Sequence, residues 1–100
     1  MSDKPTYTIE EFAQWLEQQD ANEQYCYTSS AGCAVALFLR EKLNLNYKDH
    51  LVIDCTQGYA EDEHRNKLAS FDIRMDNAAC ICHPRTFGAL RQLIQQEHGA

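Results

Sequence analysis

The chain has 100 residues, which is one domain with one core and no room for a second. Hydrophobic residues at 44% and charged residues at 24% make a globular composition, which excludes a disordered or fibrous chain. Nine Lys and Arg against fifteen Asp and Glu leave a net charge of −6, a field that repels phosphate and anionic lipid and so argues against direct binding of nucleic acid or a membrane surface.

The first predicted element opens at Thr8. Thr8-Ile9-Glu10-Glu11 fits a capping box, in which the Thr8 hydroxyl takes the amide of Glu11 and the Glu11 carboxylate reaches back. Tyr7 and Phe12 stand at the spacing of a hydrophobic staple. Ile9, Phe12, Ala13 and Leu16 make one apolar face with Trp15 at its edge, and the helix should end near Gln19. Gln24 to Thr28 reads as a short extended segment. Thr28-Ser29-Ser30 then offers caps for a second helix over Ala31–Leu43, with Arg40, Glu41 and Lys42 as its solvated end. Its first half is nearly all apolar, so it should be the central helix.

His50 to Thr56 carries Val52, Ile53 and Thr56 and reads as a strand, broken by Gln57-Gly58-Tyr59. Ala60 to Ala69 is polar and suits a helix or a loop. Phe71, Ile73 and Met75 alternate with Asp72 and Arg74 as a half-buried strand would. Asp76-Asn77 makes a two-residue hairpin turn, and Ala78 to Cys82 returns as the partner strand. The last helix opens at Thr86, or with Pro84 in its first turn, and buries Phe87, Leu90, Leu93 and Ile94. Gly88 inside it suggests close backbone contact, and Gly99 ends it. The expected architecture is therefore a single α+β domain over residues 1–100, in the order α-α-β-β-β-α, with a small antiparallel sheet packed against two or three helices.

Five cysteines, at 26, 33, 55, 80 and 82, make an odd count. The stretch MSDKPTYTIEEF has no apolar signal region, and the longest apolar run, Ala31 to Leu39, is too short to span a bilayer. A cytoplasmic protein with reduced thiols is the expectation. Cys33 falls in the first turn of the central helix, where the helix dipole favours a thiolate. Papain-like hydrolases place a nucleophile this way, and His50, His64 and His83 follow it in the chain. The alternative reading is thus a cysteine hydrolase or transferase built on Cys33 with His64 or His83. A zinc site from Cys55, Cys80, Cys82 and His83 lacks the paired spacings such sites use, so no metal is expected. No glycine-rich phosphate loop is present either, and no cofactor is expected.

Two acidic stretches remain. Glu61-Asp62-Glu63 precedes His64, and Glu10, Glu11, Glu17, Asp20 and Glu23 lie near the N-terminus with Asp3 against one lysine, Lys4. Trp15, Tyr25, Tyr27, Tyr47 and Tyr59 are more aromatics than one small core obviously holds. Tyr and Trp among carboxylates suit a protein-binding patch.

Thr8-Ile9-Glu10-Glu11-Phe12 with Trp15-Leu16, Tyr25 with Tyr27, Cys33-Ala34 with Ala36 and Phe38-Leu39, and Pro84 with Thr86-Phe87-Gly88-Ala89-Leu90 resemble a group of small proteins of phages and bacterial mobile elements. That resemblance implies a context rather than an activity. Small acidic proteins of this kind include inhibitors of host defence, anti-CRISPR proteins among them. The expectation is a non-enzymatic acidic binding protein that occludes a basic surface of a host nucleic-acid-handling complex. Its binding residues would be Glu10, Glu17, Asp20, Glu23, Trp15, Tyr59, Glu61, Asp62 and Glu63. A further alternative is a self-associating structural or regulatory protein, with the aromatics forming a homodimer interface.

Overall fold

The computed structural model describes residues 4–25, 33–46, 48–54 and 56–99. Four helices and a four-stranded mixed sheet follow in the order β1 (Thr6–Tyr7), α1 (Ile9–Glu17), α2 (Ala34–Lys42), β2 (Val52–Asp54), β3 (Tyr59–Glu61), β4 (Lys67–Phe71), α3 (Ile73–Ile81) and α4 (Phe87–His98). The α+β class stands, but the order α-α-β-β-β-α does not. The sheet order is β1-β4-β3-β2, with β1 parallel to β4 and the other pairs antiparallel, so the sheet is mixed rather than antiparallel.

Local chemistry sets the helix starts. The Thr8 capping box forms in full. The Tyr7 ring stands edge-on to Phe38 of α2, 5.5 Å between centroids. Thr86 caps α4 by accepting the amide of Ala89, and Gly99 closes that helix in the left-handed conformation. α2 begins at Ala34, with Cys33 as its N-cap. The Thr28-Ser29-Ser30 caps and the start at Ala31 lie outside the described residues. Arg40 is not part of a solvated end: it is buried, and its guanidinium donates from Nη1 to the carbonyls of Asn46 (2.6 Å) and Asp49 (2.8 Å), closing the loop after the helix.

The largest departure covers residues 60–82. The polar stretch from Ala60 to Ala69 supplies the hairpin of β3 and β4, where small inward residues, Ala60 opposite Ala69, replace the bulky alternation that marks a strand. Residues 73–81 are helical rather than part of a second hairpin. The Asp72 carboxylate accepts the Arg74 amide and caps α3, and Asp76-Asn77 lies inside that helix. Met75, Ala78 and Ala79 are buried at helical spacing, with Cys82 one step further. Cys80 and Cys82 therefore share no strand face.

The core packs the inward face of the sheet against the helices. Phe12, Trp15 and Phe38 touch one another at 5.2 to 5.9 Å between ring centroids, and Phe87 joins through Trp15 and Tyr25. Trp15 is 4% exposed, and its indole N–H donates to Glu41 of α2. Tyr25 is buried as well, donating to the carbonyl of Ala79 at 2.8 Å. The segment from Ala21 to Tyr25 runs along the start of α4. Its Glu23 and Ala21 carbonyls accept the Phe87 and Gly88 amides, which would otherwise be orphaned in the first helical turn.

Candidate functional site

The candidate binding residues fall on two surfaces. Along α1 and the turn after it stand Glu10, Glu17, Asp20 and Glu23, all exposed. Part of that charge is engaged within the fold. Glu17 pairs with Arg91 of α4. Glu10 lies in the field of Arg74, and the Asp20 carboxylate accepts the Asn22 amide. Trp15 belongs to the core and is withdrawn from this surface by its burial.

The second surface is the outer face of the sheet. Ala60 is buried and turns inward, so Tyr59 and Glu61 beside it on β3 turn outward, and a register shift after Ala60 sets Glu61 opposite Lys67 of β4. The register places Asp54 of β2 opposite Tyr59 of β3, and Val52 opposite Glu61. Val52 on this face is 44% exposed. Tyr59 is half-buried, and the Lys67 ammonium stands 5.8 Å above its ring.

Charges on this face shape one another. Glu61, together with partial burial and Asp54, raises the Tyr59 phenol above its ordinary value. The Thr56 hydroxyl and the Gln57 amide hold the Asp54 carboxyl below the usual carboxylate range, so Asp54 is ionised at neutral pH. The Tyr59 ring thus has the Asp54 and Glu61 carboxylates and the Lys67 and Arg65 cations as its charged neighbours.

At the hairpin tip Asp62 has a different task. Its carboxylate accepts the amides of His64 (2.8 Å) and Asn66 (2.9 Å), which also lowers its pKa. Arg65 takes the left-handed position that ends a three-residue hairpin loop, with φ of 64°. Asp62 therefore builds the loop, while Glu61 and Glu63 project from it. A depression of about 250 Å3 beside this tip is lined by Leu45, Asp49, His50, Asp62, Glu63, His64 and Leu68.

For the thiol reading, Cys33 lies near the Tyr25 phenol, together with Cys82 and Arg85. The Cys33 side chain is 7% exposed inside the core and makes no capping bond to α2. His64 lines the depression at the hairpin tip. His83 lines a separate groove of about 390 Å3 between α3 and α4, whose described lining includes Cys82 but not Cys33. Burial raises the Cys82 thiol, and the Cys82 S–H donates to the Pro84 carbonyl at 3.4 Å. Among the described residues, no group of three or more His, Cys, Asp or Glu is placed to hold a metal; Cys55 of the considered zinc set lies outside them. Tyr27 and Tyr47 also lie outside the described residues. No helix among the described residues is long and apolar enough to cross a membrane.

Asp54 and Lys67 join the site without having been candidates from the sequence. Their signal is the strand register rather than any local motif. Comparison with protein families, with curated proteins and with solved structures finds no match to this chain.

Proposed function

We propose that this chain is a non-enzymatic binding protein that occupies a basic surface on a protein partner. The observation that carries the reading is the outer face of the sheet, where Tyr59 stands opposite Asp54 and two residues from Glu61, beside the exposed Val52. An exposed stretch of sheet can meet another protein, and Tyr beside carboxylates suits a surface rich in Lys and Arg. Such surfaces hold phosphate in nucleic-acid-handling complexes, and the partner class proposed is a complex of that kind. The mode is occlusion: the acidic face takes the cations that would grip nucleic acid. A mobile-element inhibitor of host defence would work in this way. Among the α1 carboxylates Glu17 contributes less, because it is already paired with Arg91.

The test is affinity capture with wild type beside a Glu61→Lys, Glu63→Lys variant. Asp62 is left intact because it holds the hairpin loop together. Captured complexes are washed between about 50 and 500 mM salt, a range over which screening weakens exposed charge pairs strongly. One complex that is retained by wild type, lost from the variant and released by salt supports the reading. Salt-insensitive capture by both proteins would remove the electrostatic basis.

A further inference from the structure

The Tyr59 ring already has a cation above it. Lys67 is exposed on β4, and its ammonium reaches the ring face at 5.8 Å. A surface contact of this kind is weak and exchangeable, because the ammonium keeps most of its water and the stem is flexible. The ring is flanked on one side by Asp54, its partner across β2, and on the other by Glu61, two residues along β3 on the same face. Val52, opposite Glu61, adds an exposed apolar patch beside the carboxylate. An aromatic face, two carboxylates and an aliphatic shelf are the groups that receive a long cationic side chain. Arginine fits them better than lysine. Its planar guanidinium stacks on an aromatic ring, pairs with carboxylates through two parallel N–H bonds, and is less strongly hydrated. Its stem lies along apolar surface such as Val52.

Resting on the binding reading above, we propose that the outer sheet face docks an arginine-bearing segment of the partner protein, with the guanidinium on Tyr59 in place of the Lys67 ammonium and in reach of Asp54 and Glu61. Lys67 then acts as an internal competitor, holding the ring until a better cation arrives.

The probe is a capped heptapeptide of Gly and Ser with one central arginine, compared with its lysine and citrulline counterparts. Binding is followed by the ring signals of labelled tyrosines and by backbone amide shifts. The arginine peptide should move the Tyr59 ring signals and the amides of β2 and β3, lysine should do so less, and citrulline should not. Lys67→Met should tighten arginine binding about two- to fivefold, and Tyr59→Leu should weaken it by a similar factor, the scale of an exposed cation–π contact. Arg65→Gln removes an equal charge from the same hairpin without uncovering the ring, so its effect should be smaller than that of Lys67→Met. All three changes are on exposed or half-buried positions, and the unperturbed amide spectrum of the helices confirms folding.

Equal binding of citrulline, no tightening in Lys67→Met beyond Arg65→Gln, or no shift at Tyr59 would each overturn the inference. Shifts confined to the amides around Asp20 and Glu23 would overturn it while leaving the acidic-binding reading in place. Loss of partner capture in the Glu61→Lys, Glu63→Lys variant, together with unchanged capture in Tyr59→Leu, would have the same meaning.

Discussion

Gly88→Ala sets helix propensity against packing, and the structure decides the sign. On propensity alone the change should stabilise α4 by about 1 kcal/mol. Gly88 is the second residue of that helix, and its amide donates to the Ala21 carbonyl at 3.0 Å. A Cβ at this position would stand 2.8 Å from the Ala21 Cβ, 2.9 Å from its carbonyl oxygen and 3.2 Å from its Cα. Comfortable carbon contacts begin at about 3.5 Å, so the chain at Ala21 must retreat by roughly half an ångström or more. It is poorly placed to do so. The Glu23 carbonyl accepts the Phe87 amide at 3.1 Å, the Tyr25 amide donates to Arg85 at 3.0 Å, and the Tyr25 hydroxyl is anchored on Ala79. Overpacking of this kind costs about 1–3 kcal/mol, and stretching one or two of these bonds adds about 1 kcal/mol. After the propensity gain, the expected net loss is about 1–3 kcal/mol. For a domain of this size that lowers Tm by about 4–8 °C per kcal/mol.

Urea unfolding followed by helical circular dichroism and by Trp15 fluorescence measures the loss. Trp15, buried between Phe12, Phe38 and Phe87, reports on the core that α4 completes. The double variant Ala21→Gly, Gly88→Ala should recover part of the loss relative to Ala21→Gly alone, because it removes the Cβ contact and leaves the carbonyl contact. A Gly88→Ala protein that is more stable by about 1 kcal/mol would show that the approach of residues 21–25 to α4 is misread.

Arg65→Gly should stabilise the hairpin by a few tenths of a kcal/mol up to about 1, since glycine adopts the left-handed conformation at φ of 64° without steric cost; chemical denaturation reads it, and destabilisation would refute the loop geometry. Phe38→Ala should cost about 3–5 kcal/mol, because the ring is fully buried against Tyr7, Phe12 and Trp15; a cost under about 1 kcal/mol in urea unfolding would contradict that packing. Asp72 is held below the usual carboxylate range chiefly by the Arg74 guanidinium, with bonds of 2.6 to 3.1 Å. Its folded pKa is depressed, so its contribution is complete above the unfolded value of about 3.9 and is lost as pH falls through the folded value. Asp72→Asn, which retains a cap but not the ion pair, should be less stable than wild type by under about 1 kcal/mol at neutral pH. The two should converge as pH falls below the folded value, and a gap that widens in acid would reverse the argument.

The elements legible in the sequence are those whose determinants are local. The Thr8–Glu11 capping box, the Thr86 cap and the Gly99 terminus each act within one helical turn, so a reading of neighbours suffices. Gly88 was legible as a close contact for the same reason, although the chain it meets, Ala21, was not. Residues 71–75 mislead because alternation over five positions also fits the start of a helix. Only the continuation to Ala78, Ala79 and Cys82 separates the two periods, and Asp72 then reads as a cap rather than a strand residue.

The hairpin of β3 and β4 hides for the opposite reason. Its inward positions opposite one another are alanines, which fill a narrow space below the helices but leave no hydrophobic alternation to read. Failing to see that hairpin conceals the site as well. Glu61, Asp62 and Glu63 look equivalent as a run of acids. In the fold the pleat sends Glu61 to the face of Tyr59, Asp62 turns back to bind the loop amides, and Glu63 points from the tip. Asp54 and Lys67 reach Tyr59 from strands on either side of β3. No spacing along the chain predicts that meeting. It depends on register, and a shift of one residue would send Tyr59 to the core side and away from these charged groups.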